Sequence, residues 1–152
     1  MHRWFSQALE SIHHLCKDTR DLLAKLSKVP APCNCYFAKW DVKDFYLSGS
    51  HGDLVQAVLP RLDKSLRSFS ELTRWLLLNN QFVQWGSECY RIERGSGMGL
   101  TFSGSLADLA FDTVVESKID KNRLGILAYF RFRDDIFCIT RTKKQPRTRF
   151  VF

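Results

Sequence analysis

Two short apolar runs, Ile126-Leu127-Ala128-Tyr129-Phe130-Arg131-Phe132 and Ile136-Phe137-Cys138-Ile139, are divided by a polar break that holds two adjacent acids, Asp134 and Asp135. Runs this short, rich in aromatic and β-branched residues, predict a β-hairpin with both carboxylates at its tip. Like charges that close repel, so a turn gains little from placing them together. A divalent cation reverses that balance, because hard cations take carboxylate oxygens as ligands. The pair is therefore a metal-site candidate, and a solvated acidic turn is the plain alternative.

A chain of 152 residues with 45% hydrophobic and 13% aromatic content supports one domain with a packed core. The formal net charge of +7, from 23 Lys and Arg against 16 Asp and Glu, favours an anionic partner, most often nucleic acid. Cys16, Cys33, Cys35, Cys89 and Cys138 have no regular metal-ligand spacing and fit reduced thiols in an intracellular protein. No apolar stretch approaches the roughly 20 residues of a membrane span, and the N-terminus lacks a signal-peptide core. The expectation is a soluble intracellular protein.

Apolar spacing predicts a helix over residues 4–26, a break at Pro30 and Pro32, and a strand ending at Asp41. Helices are expected from Gly52-Asp53 and from Ser70 as N-cap, then a hairpin over 81–92 turning at Gly86-Ser87. The glycine-rich stretch Gly95-Ser96-Gly97-Met98-Gly99 precedes a helix from about Ser103. The pattern is mixed α/β of the α+β kind, a largely antiparallel sheet backed by helices. Three spans are expected: 1–34, an N-terminal helix and connector; 35–140, the site-bearing domain; and 141–152, a basic tail that reads as cut short.

Asp41 gives the acid pair a partner. If its strand lies beside the Asp134 hairpin, both carboxylates project at one sheet end, where two metal ions about 3.5–4 Å apart can be bridged for in-line phosphoryl displacement. Glycines between the acids allow backbone to approach a base or sugar closely. On ordinary expectation Asp44 is a solvated turn residue, Asp108 and Asp112 are surface charges and His51 is polar surface. Arg131, Arg133, Arg141, Lys143 and Lys144 either track phosphate or form a solvated basic face.

The order Asp41-Val42-Lys43-Asp44-Phe45-Tyr46, then Gly95-Ser96-Gly97-Met98-Gly99 with Ser103-Gly104-Ser105-Leu106-Ala107, then Phe132-Arg133-Asp134-Asp135 resembles motifs A, B and C of a reverse transcriptase palm. Leu76-Leu77-Leu78-Asn79-Asn80-Gln81-Phe82 and Gly86-Ser87-Glu88-Cys89-Tyr90 bring it closest to Penelope-like retroelements. The resemblance covers residues 38–140 and implies a polymerase palm with fingers and thumb mostly missing. It implies RNA-directed DNA polymerase chemistry with two Mg²⁺ ions (or Mn²⁺), an RNA template, a DNA primer and deoxynucleotide triphosphates, in a nuclear setting and with no membrane partner. By position, Asp41 and Asp134 would be metal ligands, Val42 would lend a carbonyl, and Asp135 would be a supporting catalytic acid. Tyr46 would be the gate against a ribose 2′-hydroxyl, and Gly95, Gly97, Met98 and Gly99 the floor under the nascent base pair. The alternative is a catalytically dead palm fragment that binds nucleic acid or has no independent function.

Overall fold

The computed structural model describes residues 2–30, 32–97 and 100–143, so Met98, Gly99 and the tail from Lys144 onward lie outside the described residues. In chain order the elements are α1 (His2–Glu10), α2 (Thr19–Leu26), β1 (Tyr36–Asp41), α3 (His51–Val58), α4 (Arg67–Asn79), β2 (Phe82–Trp85), β3 (Glu88–Arg91), α5 (Ser103–Val114), β4 (Ile126–Phe132) and β5 (Asp135–Thr140). They form a mixed α+β fold with antiparallel sheets, in two compact units among the described residues: 2–11 with 44–117, and 12–43 with 118–143.

The second unit is built on an antiparallel sheet of order β1-β5-β4. Strand alternation gives it two unequal faces. Ala38, Val42, Ile136, Cys138, Tyr129 and Arg131 share the buried face, whereas Phe37, Lys39 and Phe132 on the other are exposed. The helix expected over 4–26 is split, because residues 14–16 serve the sheet instead. Cys16 N–H donates to the Arg131 carbonyl (2.7 Å) and Arg131 N–H to the His14 carbonyl (3.0 Å), extending the ladder past β4. α2 then restarts at Asp18, whose side chain accepts from Asp21 N–H at 2.8 Å as an N-cap.

In the first unit α5 is the central helix: Leu106, Ala107, Leu109, Ala110 and Phe111 are all nearly inaccessible. Each large side chain buried there contributes about 1.5–3 kcal/mol. α1 and α3 pack on α5, and α4 packs on α3. The hairpin β2–β3 turns at Gly86-Ser87 as expected, with both strands exposed. α3 starts one residue before Gly52, at His51, because Ser50 caps it by accepting from Asp53 N–H at 3.1 Å. That earlier start places His51 in the interior rather than on the surface. α4 likewise starts at Arg67, after a 3-10 turn whose Asp63 accepts from Ser65 N–H, so Ser70 lies within the helix. Asp108 and Asp112 also depart from surface charge: Asp108 is buried on α5, and Asp112 pairs with Arg61 at 2.6 Å.

Candidate functional site

β1 and β5 run antiparallel with Asp41 opposite Asp135. Beyond that pair, Val42 N–H donates to the Asp134 carbonyl at 2.9 Å. Since bonded pairs alternate along such a ladder, Asp41 and Asp135 form the closer, non-bonded pair, with Cα atoms about 4.5 Å apart and side chains on one face. The hairpin tip is Arg133-Asp134, with Asp135 the first residue of β5. Only one acid therefore sits on the turn itself. Arg133 has φ 55, the positive φ that a primed two-residue turn needs at its first position. Its carbonyl accepts from Arg131 Nη1 at 3.0 Å, so Arg131 is a buried strut of the turn and not a phosphate-tracking surface residue.

Directly opposed like charges destabilise a sheet. A cation supplied by β1 answers that repulsion: Lys39 lies two residues before Asp41, on the same face, and its Nζ is 2.8 Å from Asp135 Oδ1. The Asp135 carboxylate, by hydrogen bond and then by charge, holds the Lys39 ammonium above the usual lysine range, and Asp41 and Asp134 add to the effect. All three acids thus act on one positive charge. A hard oxygen donor set with a cation already drawn to it fits Mg²⁺ or Mn²⁺ in chemical type. Asp135 is turned to Lys39. Beside the acids, on the same sheet, is a groove of about 410 Å³ lined by Phe130, Phe132 and Phe137 with Thr19 and Leu22 of α2.

A second constellation lies within the other unit. Phe45 fills the core position against Phe111 of α5 (ring centroids 5.7 Å apart), which leaves Tyr46 half-buried rather than core. The Tyr46 carbonyl accepts from Ser96 N–H at 2.8 Å, and the Gly49 carbonyl accepts from Gly95 N–H at 2.9 Å. Gly95 has φ +73, and a Cβ there would fall on the Tyr46 carbonyl oxygen and the Leu47 Cα, so only glycine allows this approach. Gly97 has φ +32, and a Cβ would lie 2.6 Å from Gln81 Oε1. Ser103, the first residue of α5, closes the loop by donating Oγ–H to the Gly97 carbonyl at 2.7 Å and reaching the Ser96 carbonyl. A small polar residue at that helix start fixes the glycines just upstream.

The chain matches solved structures of telomerase. Apo telomerase from Candida tropicalis superposes with a TM-score of 0.70 at 14% identity, over 93% of this chain and 31% of that one. The same enzyme truncated from its C-terminal domain gives 0.69 at 16% identity, over 93% of this chain and 34% of that one. The fold is reverse-transcriptase-like. Telomerase from Candida albicans, in complex with a fragment of telomeric RNA, gives 0.60 at 14% identity, over 88% of this chain and 28% of that one. The chain thus spans about a third of the length of these telomerases. No protein-family model matches the sequence, and no curated protein matches it.

Within this reverse-transcriptase-like fold, Asp41, Val42, Asp134 and Asp135 share one sheet end, and Tyr46, Gly95 and Gly97 share one loop cluster. Met98 and Gly99 lie outside the described residues. Sequence reasoning passed over Lys39, and it gave Ser103 as a motif residue without its hold on the glycine loop. The period of two that sets Asp41 facing outward places Lys39 on the same face, so the signal was present. No helix among the described residues is long and apolar enough to cross a membrane.

Proposed function

We propose that this chain is a reverse transcriptase palm of a retroelement, closest in motif pattern to Penelope-like elements, that adds deoxynucleotides to a primer 3′ hydroxyl on an RNA template. The carrying observation is the register that sets Asp41 opposite Asp135 and ties Asp134 to Val42, joining acids from two distant motifs at one sheet end. Asp41 and Asp134, with the Val42 carbonyl, would hold two Mg²⁺ ions, and Asp135 would support them. When bound, such ions polarise the attacking hydroxyl and neutralise the triphosphate and its leaving group.

The chain's own residues do the rest. By the motif resemblance Tyr46, half-buried with its backbone carbonyl held by Ser96, is the gate against a ribose 2′-hydroxyl. Gly95 and Gly97 are buried, and their lack of side chains lets the loop that would form the floor under the nascent pair pack against Tyr46, Leu47 and Gln81, with Ser103 holding it. The aromatic groove beside the acids offers apolar faces to a base or sugar. The net charge of +7 attracts template and primer.

The test is primer extension on primed RNA with Mg²⁺ and deoxynucleotides. Extension is expected, abolished by Asp41→Asn and by Asp134→Ala, with Tyr46→Val admitting ribonucleotides. A second reading, a degenerate palm that binds nucleic acid without chemistry, is favoured by the Lys39–Asp135 pairing. Salt-dependent binding untouched by Asp41→Ala, with no extension, would establish that alternative.

A further inference from the structure

The acid cluster carries its own counter-ion. We propose that Lys39 is a resident competitor for the metal site, so that divalent ions enter by exchange with its ammonium group. This rests on the metal reading of Asp41 and Asp134 given above.

Three observations carry it. First, Lys39 Nζ lies 2.8 Å from Asp135 Oδ1, a charge-assisted hydrogen bond that occupies one of the three acids. Second, the β1–β5 register places Lys39, Asp41 and Asp135 on one face, with Asp41 and Asp135 directly opposed. An ammonium on a four-carbon stem from that position reaches the carboxylates without backbone movement. Third, Lys39 and Asp135 both line the groove beside the acids.

Release is easy. Both partners are well exposed, at 68% and 48% of the side-chain surface for Lys39 and Asp135. An exposed pair of this kind is weak, so exchange lowers apparent metal affinity by only about two- to fivefold. The ion pair also offsets the repulsion between Asp41 and Asp135 before any metal arrives. Once displaced, the Lys39 ammonium is free beside the groove, where phosphate of a bound strand is the natural acceptor. Lys39 is thus a positioning residue that alternates between acid and substrate.

The experiment is Mn²⁺ binding to the full chain, read by electron paramagnetic resonance of free Mn²⁺, for the wild type, Lys39→Gln, Lys39→Arg and Lys118→Gln. Lys118 is an exposed lysine outside the sheet and controls for net charge. Lys39→Gln should tighten Mn²⁺ about two- to fivefold, with Lys39→Arg and Lys118→Gln near wild type. In parallel, the Lys39 side-chain NMR signals should shift on adding Mg²⁺, and an Asp41→Asn variant should suppress that shift. Unchanged or weaker Mn²⁺ binding in Lys39→Gln, while binding still depends on Asp41, overturns the exchange and leaves the metal site standing. No Asp41-dependent binding in any form overturns both.

Discussion

Gly95→Ala is the perturbation whose magnitude the structure sets most clearly. Two costs combine. An L residue at φ +73 sits in the left-handed region, at about 1–2 kcal/mol. The new methyl would also fall on the Tyr46 carbonyl and the Leu47 Cα, which are backbone atoms and cannot swing aside. Overpacking of that kind costs about 1–3 kcal/mol. Gly86→Ala separates the two, because Gly86 has φ +63 but nothing within 4 Å of its Cβ position. Both variants share the conformational cost and the reduced entropy of the unfolded chain. The difference between them is therefore the collision alone, about 1–3 kcal/mol. Urea unfolding followed by tryptophan fluorescence measures it. Gly95→Ala should lose that much more stability than Gly86→Ala, and Gly97→Ala should fall between. Equal losses, within about 0.5 kcal/mol, would refute the claim that Gly95 is a contact point with the Tyr46 backbone.

Arg133→Gly should stabilise the protein by about 0.5–1 kcal/mol, since relief of a positive φ outweighs the extra freedom of glycine in the unfolded chain; thermal unfolding checks this, and a loss of stability would show that the Arg133 side chain matters to the turn. Asp21 is held below the usual carboxylate range, first by Lys17 N–H at 2.9 Å and next by Lys25. A depressed folded-state value means that stability is present above the ordinary carboxylate range and is lost as pH falls through the folded value. Amide exchange in α2 should accelerate below about pH 4 in the wild type, and Asp21→Asn should lack that acid-dependent step.

Strand and hairpin placement was legible because aromatic and β-branched runs with polar breaks leave few alternatives. β1 ending at Asp41, the hairpin around Asp134 and the turn at Gly86 all follow from local pattern. What local pattern does not carry is the competition for backbone hydrogen bonds. Residues 14–16 have helical spacing, yet the open edge of β4 takes their amide and carbonyl groups, which splits the expected helix. Helix starts shifted for a related reason: Ser50 caps α3 one residue ahead of its expected start, and Asp63 caps the 3-10 turn that leads into α4. Buried charge was the other blind spot. Asp112 and Arg131 look like surface residues in sequence, and only the partners that folding brings to them, Arg61 and the Arg133 carbonyl, make burial tolerable. In the candidate site, the acids and glycines declared themselves by type and spacing. Strand period put Lys39 on the face of Asp41, but its pairing with Asp135 depends on the cross-strand register between β1 and β5.

The most direct test of the central claim is anomalous diffraction from crystals soaked in Mn²⁺. A peak should lie between the Asp41 and Asp134 carboxylates at about 2 Å from ligating oxygens, with Lys39 Nζ moved off Asp135. An empty sheet end at saturating Mn²⁺, with the Lys39–Asp135 pair intact, would contradict the metal site and the chemistry built on it.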